Sequence, residues 1–211
     1  MLRCRNDDAG IIDLTLTQIG LTIASGILLI IVLSLVFSNE WQRTAELQSQ
    51  ASSLSNLLAD IENSFFEQTH RFEFSHKDYG YAVTISTEYL RITAKGAWSG
   101  DIIITKKLLT TPWFHPPEQN WTTGEDLHSY LNKTYGHRGT QIDALSAENF
   151  TEFSQDQKNI TAYFAVHPQQ IRVNEPVFIE KVTIFYNQTE RDDFLLLYQT
   201  VKPQIRYSSR K

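Results

Sequence analysis

The sequence predicts an α+β protein, in which a long N-terminal helix precedes an antiparallel β-rich head with one or two short helices. Three patterns support this class. Residues 14–39 contain no charged side chain, residues 47–65 carry apolar side chains at helical spacing, and apolar and polar side chains alternate beyond residue 71, as they do in strands. We therefore expect a membrane span, an amphipathic helical extension and a folded head, in that order.

The apolar run at residues 14–37 is long enough to cross a membrane. Its 24 residues would form a helix of about 36 Å, which exceeds a hydrocarbon core of about 30 Å. A cleaved signal peptide has an apolar region of only about 7–15 residues, and a buried helix of a soluble domain rarely avoids charge over this length. We predict a transmembrane helix at residues 11–38, after a short cytoplasmic leader at residues 1–10, with membrane lipid as its partner.

Charge and glycosylation motifs predict that the N-terminus lies inside the cell and the head outside. Arg3 and Arg5 precede the span and Arg43 follows it, a small bias toward a cytoplasmic N-terminus. Six Asn residues lie beyond residue 64, and five of them begin Asn-x-Thr motifs, which are acceptors for N-glycans on exported surfaces. The predicted acceptors are Asn120, Asn132, Asn149, Asn159 and Asn187. We predict a single-pass protein of the cell membrane with an extracellular, glycosylated head.

A second helical pattern follows the span. Apolar residues recur at intervals of three and four, which is the spacing of one helix face. This apolar seam consists of Leu47, Ala51, Leu54, Leu58, Ile61 and Phe65. No Gly or Pro interrupts residues 27–79, so we predict an amphipathic extension at residues 39–70 and a helix running from about residue 12 to about residue 69. The seam is expected to pack against the head or against neighbouring copies of the chain.

The head is predicted at residues 71–202, and a tail at residues 203–211 follows it. The predicted strands cover residues 71–75, 79–86, 88–94, 101–109, 160–167, 177–187 and 193–201. The first four are separated by connections too short for crossover helices, which favours an antiparallel meander.

Two short helices are predicted between the two groups of strands. Thr123 is a favourable N-cap for a helix at residues 124–135, and a second helix is expected at residues 142–153. The preceding loop contains three Pro residues with Trp113, Phe114 and Trp121. These aromatic residues form either a recognition surface or a small accessory core, and we favour packing.

No pattern of catalytic or metal-binding residues is recognisable in the sequence. The six His lack the spacing of zinc ligands, and neither a Gly-x-Ser-x-Gly elbow nor a glycine-rich phosphate loop is present. Cys4 is the single cysteine. The formal net charge of −5 argues against a nucleic-acid partner, which would require a basic surface. We predict that the chain is not an enzyme, with no catalytic residues, no metal site and no cofactor.

The membrane span carries small residues one turn apart. Gly20 and Ala24 form one such pair, and Thr22 and Gly26 form another. Helices in lipid approach closely at such positions, so the span is predicted to self-associate. Asp13 lies at the start of the apolar run, where it either caps the helix or pairs with a positive group in an assembly.

The polar leader, the Gly, the uninterrupted apolar helix with its amphipathic extension and the β-rich head together resemble archaeal type IV pilin-like proteins. The resemblance rests on the architecture of residues 1–70. It implies cleavage by a prepilin-type peptidase between Gly10 and Ile11, and a filament core built from the helices of many subunits. Asp13 would then neutralise the new α-amino group of a neighbouring subunit.

The sequence departs from the family at two points. The residues before the implied cleavage position are Asp7, Asp8 and Ala9, where pilin leaders carry Lys or Arg, and the acidic residue is third in the mature chain rather than fifth. The sequence is interpreted as a structural surface protein, either a filament subunit or an anchored ectodomain that does not polymerise. A tethered hydrolase is the least favoured alternative.

Overall fold

A computed structural model describes residues 8–96, 100–114, 122–187 and 189–199, and the side chains of residues 8–15 and 36–37 lie outside that description. The fold is α+β, as the sequence predicts. The chain divides into two compact units, Met1–Ala45 and Glu46–Lys211. The first unit is helical where it is described, and the second is the folded head.

The N-terminal helix α1 covers Asp8–Glu62. The strands that follow are β1 (Gln68–Phe72), β2 (Tyr81–Ile85), β3 (Tyr89–Lys95), β4 (Asp101–Lys107), β5 (Trp113–Phe114), β6 (Gln169–Ile171), β7 (Val177–Tyr186) and β8 (Glu190–Tyr198). Two further helices, α2 (Gly124–Tyr135) and α3 (Ala147–Val166), lie between β5 and β6 in the chain.

The strands form two four-stranded sheets. The first sheet has the order β1-β7-β8-β5, and the second has the order β4-β3-β2-β6. Among the described strands, all pairs are antiparallel except β5 with β8, which is parallel. Strands β2, β3 and β4 form the expected meander, but β1 pairs with β7 instead of β2. The prediction that the first four strands form one meander is therefore wrong for β1.

The first sheet separates two hydrophobic cores because alternate residues of its strands face opposite sides. Val177, Ile179 and Leu197 face a core that also contains the second sheet and the last four turns of α1. Val182 and Leu196 face the other core, where α2 and the first half of α3 cover the sheet. The apolar side chains of the inner strands β7 and β8 are therefore buried on both faces of the sheet.

Helix α2 has the predicted bounds and the predicted N-cap. The Thr123 hydroxyl accepts a hydrogen bond from the Asp126 N–H, and the Asp126 carboxylate accepts one from the Thr123 N–H, so that the two form a capping box. Gly136 ends the helix in the left-handed conformation with a φ of 77°.

Helix α3 replaces two predicted elements. The sequence predicts a helix at residues 142–153 and a strand at residues 160–167, but one helix of 20 residues covers Ala147–Val166. Phe150, Phe153 and Phe164 are buried along it, and Phe164 lies 5.1 Å from the Phe114 ring in the first core. Packing at helical spacing therefore overrides the strand propensity of the second half.

The short strands β5 and β6 are not predicted by the sequence. Strand β5 consists of Trp113 and Phe114, two of the aromatic residues of the Pro-containing loop. Phe114 is 1% exposed, and the Trp113 ring lies 4.0 Å from the Phe194 ring. Both residues pack in the cores, as the sequence analysis favoured. Trp121 lies outside the described residues.

The first turn of α2 lies close to β7. A Cβ atom added to Gly124 would lie 2.6 Å from both Glu180 Oε1 and Val182 Cγ2, and the Gly124 N–H donates a hydrogen bond of 3.0 Å to Glu180 Oε2. Gly124→Ala is therefore expected to lower the free energy of unfolding by about 1–3 kcal/mol through overpacking. Denaturant unfolding of the full chain in detergent micelles measures this change. Gly80→Ala is the control, because nothing lies within 4 Å of its added Cβ, and an equal loss in both variants would contradict the steric explanation.

Candidate membrane and assembly segment

The apolar part of α1 is exposed around its circumference. Large side chains from Leu16 to Leu35 are 45–73% exposed, and none of the apolar window is buried. A core helix of a soluble domain would bury such a window. The segment is thus compatible with a single membrane span by its length and composition.

The small residues of the apolar segment are open to their surroundings in the part of the chain that the structure describes. A Cβ added to Gly20 or Gly26 meets nothing within 4 Å, and Ala24 is exposed. The Thr22 hydroxyl donates to the Gln18 carbonyl oxygen at 2.8 Å, and the Ser25 hydroxyl donates to the Thr22 carbonyl oxygen at 3.0 Å. The polar groups are therefore satisfied within the helix, while the small surface remains available for another helix.

Three predicted residues lie at the start of α1, where side chains are outside the description. Gly10, Ile11 and Asp13 belong to the helix, which begins at Asp8. The predicted cleavage position and the proposed pairing of the Asp13 carboxylate remain predictions.

The apolar seam of α1 packs inside the head. Five of its six predicted members are 0–1% exposed in the first core: Leu47, Ala51, Leu54, Leu58 and Ile61. Phe65 does not continue the seam, because the helix ends at Glu62 and the Phe65 side chain is 86% exposed. Of the two partners that the sequence left open, the head is the one that buries the seam.

A buried lysine from β7 holds the C-terminal end of α1. Lys181 is 5% exposed, and its ammonium group donates to the Glu62 carbonyl oxygen at 2.7 Å and the Ser64 carbonyl oxygen at 2.5 Å. Its third partner is Asp193 Oδ2 on β8, at 2.8 Å. The three donors of the ammonium group are thereby used. One bonds to the carbonyl of the last helical residue, which has no partner within the helix, and one to the carbonyl of Ser64, two residues beyond it.

The chain after α1 is fixed by the same strand. The Glu67 carboxylate accepts a hydrogen bond of 2.8 Å from the Thr183 N–H, and the Thr183 hydroxyl donates to Asp193 Oδ1 at 2.8 Å. The N–H of Phe66 donates to the Ser64 hydroxyl at 3.2 Å, which closes a turn directly after the helix. These contacts explain how the chain leaves α1 without a Gly or Pro.

We call Lys181, Asp193, Thr183 and Glu67 the capping cluster. No local pattern predicts this cluster, although the sequence of β7 contains one signal of it. In β7 the positions of Val177, Ile179 and Lys181 share one face by strand alternation, and a Lys among inward-facing apolar residues indicates a buried cation with partners.

The capping cluster predicts an acid-sensitive contribution to stability. Burial raises the pKa of Asp193, but the hydrogen bonds from Lys181 and Thr183 outweigh it and hold the pKa below its ordinary value of 3.8. A carboxylate with a lowered pKa stabilises the folded state at pH values above its unfolded pKa, and this contribution is lost as the pH falls through the folded pKa. Wild type is therefore expected to exceed Asp193→Asn in unfolding free energy at pH 7, with a difference that shrinks as the pH falls below about 4.

Comparison of wild type with Asp193→Asn separates the contribution of Asp193 to the free energy of unfolding from that of neighbouring titratable groups. Burial raises the pKa of Glu62, despite the nearby Lys181 charge, so Glu62 contributes in the opposite direction. Denaturant unfolding of both proteins between pH 7 and pH 2.5 gives the difference directly. A difference that is constant over this range would contradict an ionised Asp193 in the capping cluster.

Four of the five predicted glycan acceptors lie in the described part of the chain. Asn132 and Asn159 are exposed on helices, and Asn149 is half-buried near the start of α3. Asn187 is exposed in the turn between β7 and β8, where its φ is 49°. Asn120 lies outside the described residues. Glycan attachment at these positions remains a prediction.

The His residues are dispersed in the described part of the head. His128 Nδ1 lies 2.7 Å from the Arg138 carbonyl oxygen, and His137 Nδ1 lies 2.8 Å from Asp143 Oδ1. Among the described residues, no group of three His, Cys, Asp or Glu side chains is arranged to hold a metal ion. His115 lies outside the described residues.

Comparisons with protein families, with curated proteins and with solved structures find no match to this chain.

Proposed function

We propose that this chain is a single-pass surface protein that acts as a structural subunit of a pilin-like filament, with its N-terminus inside and its glycosylated head outside. The observation that carries the proposal is the difference in burial between the two parts of α1. Its N-terminal part is apolar and exposed, and its C-terminal part supplies the core of the head. A purely soluble head has no use for such an exposed apolar segment, whereas a membrane anchor or a filament core requires one.

Self-association through α1 is supported by the unoccupied small residues. Gly20 and Ala24 lie one turn apart on one face. Among the described residues nothing lies within 4 Å of a Cβ added to Gly20, and Ala24 is exposed. In this proposal the span first resides in lipid as a monomer. Cleavage after Gly10 by a prepilin-type peptidase then frees the helices to pack together.

Mass spectrometry of the intact protein from its native cells tests processing and glycosylation together. The proposal expects a chain that begins at Ile11 and carries additional mass from glycans on the Asn-x-Thr motifs. Thr189→Val is the matched variant for glycosylation, because it removes the Asn187 motif and leaves Asn187 in place. If that site is used, the variant lacks the mass of one glycan.

Shearing of intact cells separates the filament from the anchored alternative. A filament subunit is recovered in the sheared, sedimentable fraction, whereas an anchored ectodomain remains with the membrane. A chain that retains residues 1–10 and stays in the membrane fraction would contradict the filament proposal and favour the ectodomain that does not polymerise. An unglycosylated native protein would contradict the assignment of the head to the exterior.

A further inference from the structure

Strand β4 forms one edge of the second sheet and carries exposed apolar side chains. Its neighbour among the described strands is β3, and no described strand pairs with its other edge. Ile103 is 59% exposed in the middle of β4, and Leu109, two residues beyond the strand, is 83% exposed. A strand edge with unpaired N–H and C=O groups is a template for pairing with a further strand.

The hydrogen bonds to β3 define which backbone groups face the open edge. The Gly96 N–H donates to the Gly100 carbonyl oxygen and the Leu108 N–H donates to the Glu88 carbonyl oxygen, both at 2.8 Å. In an antiparallel pair, every second residue exchanges hydrogen bonds with its partner. The even-numbered residues of β4 therefore bond to β3, and the N–H and C=O groups of the odd-numbered residues point away from it.

We propose that β4 pairs with β4 of a second copy of this chain, antiparallel and centred on Ile104. The odd-numbered residues of one copy must pair with the odd-numbered residues of the other, because their N–H and C=O groups face the open edge. Centred pairing places Asp101 opposite Lys107 and Ile103 opposite Thr105, and the two-fold axis repeats both pairs. All four positions are exposed, and the charged pairs flank a centre made of Ile103 and Thr105 side chains.

Charge complementarity selects this partner and this orientation. Opposite charges directly across an antiparallel pair are favourable, and like charges are unfavourable. In-register parallel pairing would place Asp101 beside Asp101 and Lys107 beside Lys107. The charges of β4 therefore match those of a second β4 that runs antiparallel to it. Such self-complementarity is the requirement for a symmetric interface between identical chains.

The other described edges lack these features. Strand β1 exposes the polar side chains of Thr69, His70 and Arg71, and β5 and β6 have only two and three residues. The interface lies entirely in the head, so it is independent of the proposed function of α1.

Disulfide trapping tests the register. Full-length chains with Cys4→Ser and either Ile103→Cys or Thr105→Cys are purified in detergent micelles, mixed and oxidised. Directly opposed residues have Cα atoms about 5.5 Å apart, within disulfide range, whereas the diagonal pairs of a single variant lie about 7–8 Å apart. We expect cross-linked dimers in the mixture and not in either variant alone. The Asp101→Cys and Lys107→Cys pair repeats the test at both ends of the strand.

Charge reversal tests the complementarity with the same full-length protein. Asp101→Lys is expected to weaken dimerisation in micelles about tenfold or more, because two attractive pairs become repulsive. Asp101→Lys combined with Lys107→Asp is expected to restore it. Lys133→Asp on the exposed face of α2 is the control and should leave dimerisation unchanged.

Three results would overturn the proposal. Cross-linking of Ile103→Cys with itself would show a different register. Equal dimerisation of the single and double charge variants would show that β4 is not the interface. Monomers without cross-links in both cysteine mixtures, with circular dichroism unchanged from wild type, would show that β4 does not bind a second copy, as expected if another segment of the same chain covered it.

Discussion

Replacing Lys181 with Met is expected to lower the free energy of unfolding of the head by about 3 kcal/mol. Met keeps most of the volume but removes the ammonium group that bonds to the Glu62 and Ser64 carbonyl oxygens and to Asp193. This leaves the Glu62 and Ser64 carbonyl oxygens without their donor, at about 1–3 kcal/mol for each group that water does not reach. Asp193, whose side chain is 36% exposed, loses its ion pair as well. Denaturant unfolding of the full chain in micelles, followed by tryptophan fluorescence and circular dichroism, measures the change.

The control for this change is Lys158→Met, on an exposed position of α3. Its effect is expected within about 0.5 kcal/mol, as for other exposed substitutions. A double-mutant cycle with Asp193→Asn separates the ion pair from the helix cap. We expect Lys181→Met to remain destabilising when residue 193 is Asn, because the two carbonyl groups still lose their donor. Equal stability of Asp193→Asn and the double variant would assign the whole effect to the ion pair and contradict the cap.

The end of α1 shows what local sequence patterns predict and what they leave open. The apolar spacing from Leu47 to Ile61 follows from helix geometry and predicted the buried seam. The helix end did not follow, because no Gly or Pro marks it and Phe65 continues the same spacing. The Ser64 turn is a local contribution to the stop. The carbonyl oxygens of Glu62 and Ser64 are bonded by Lys181, more than 100 residues later in the chain, so the helix end also depends on the tertiary fold.

The same distinction applies to the rest of the head. Helix α2 was predicted with its bounds because Thr123 and Asp126 form a local capping box and Gly136 a local stop. Strand β1 was placed in the wrong sheet because its partner β7 lies far along the chain, and strand alternation identifies a strand without naming its neighbour. The apolar span was predictable since length and absence of charge are properties of composition. The capping cluster could not be predicted from local patterns, since its members come from three separate segments of the chain.

Replacing Leu58 with Ala is expected to lower the free energy of unfolding by about 3 kcal/mol. Leu58 is 0% exposed in the core shared by α1 and the two sheets. Truncation of a fully buried Leu removes its transfer free energy and leaves a cavity, which together cost about 2–5 kcal/mol. Unfolding in micelles at pH 7, with wild type measured in parallel, gives the difference.

Phe65→Ala is the matched comparison, because Phe65 has the spacing of the seam but is 86% exposed. Its effect on the stability of the isolated chain is expected to be below about 0.5 kcal/mol. A large loss for Phe65→Ala would contradict a helix that ends at Glu62, since it would require the seam to continue. A small loss for Leu58→Ala would mean that the C-terminal part of α1 is not part of the head core. The pair therefore determines where α1 stops contributing to the fold, and Phe65 beyond that point remains available for contacts outside the chain.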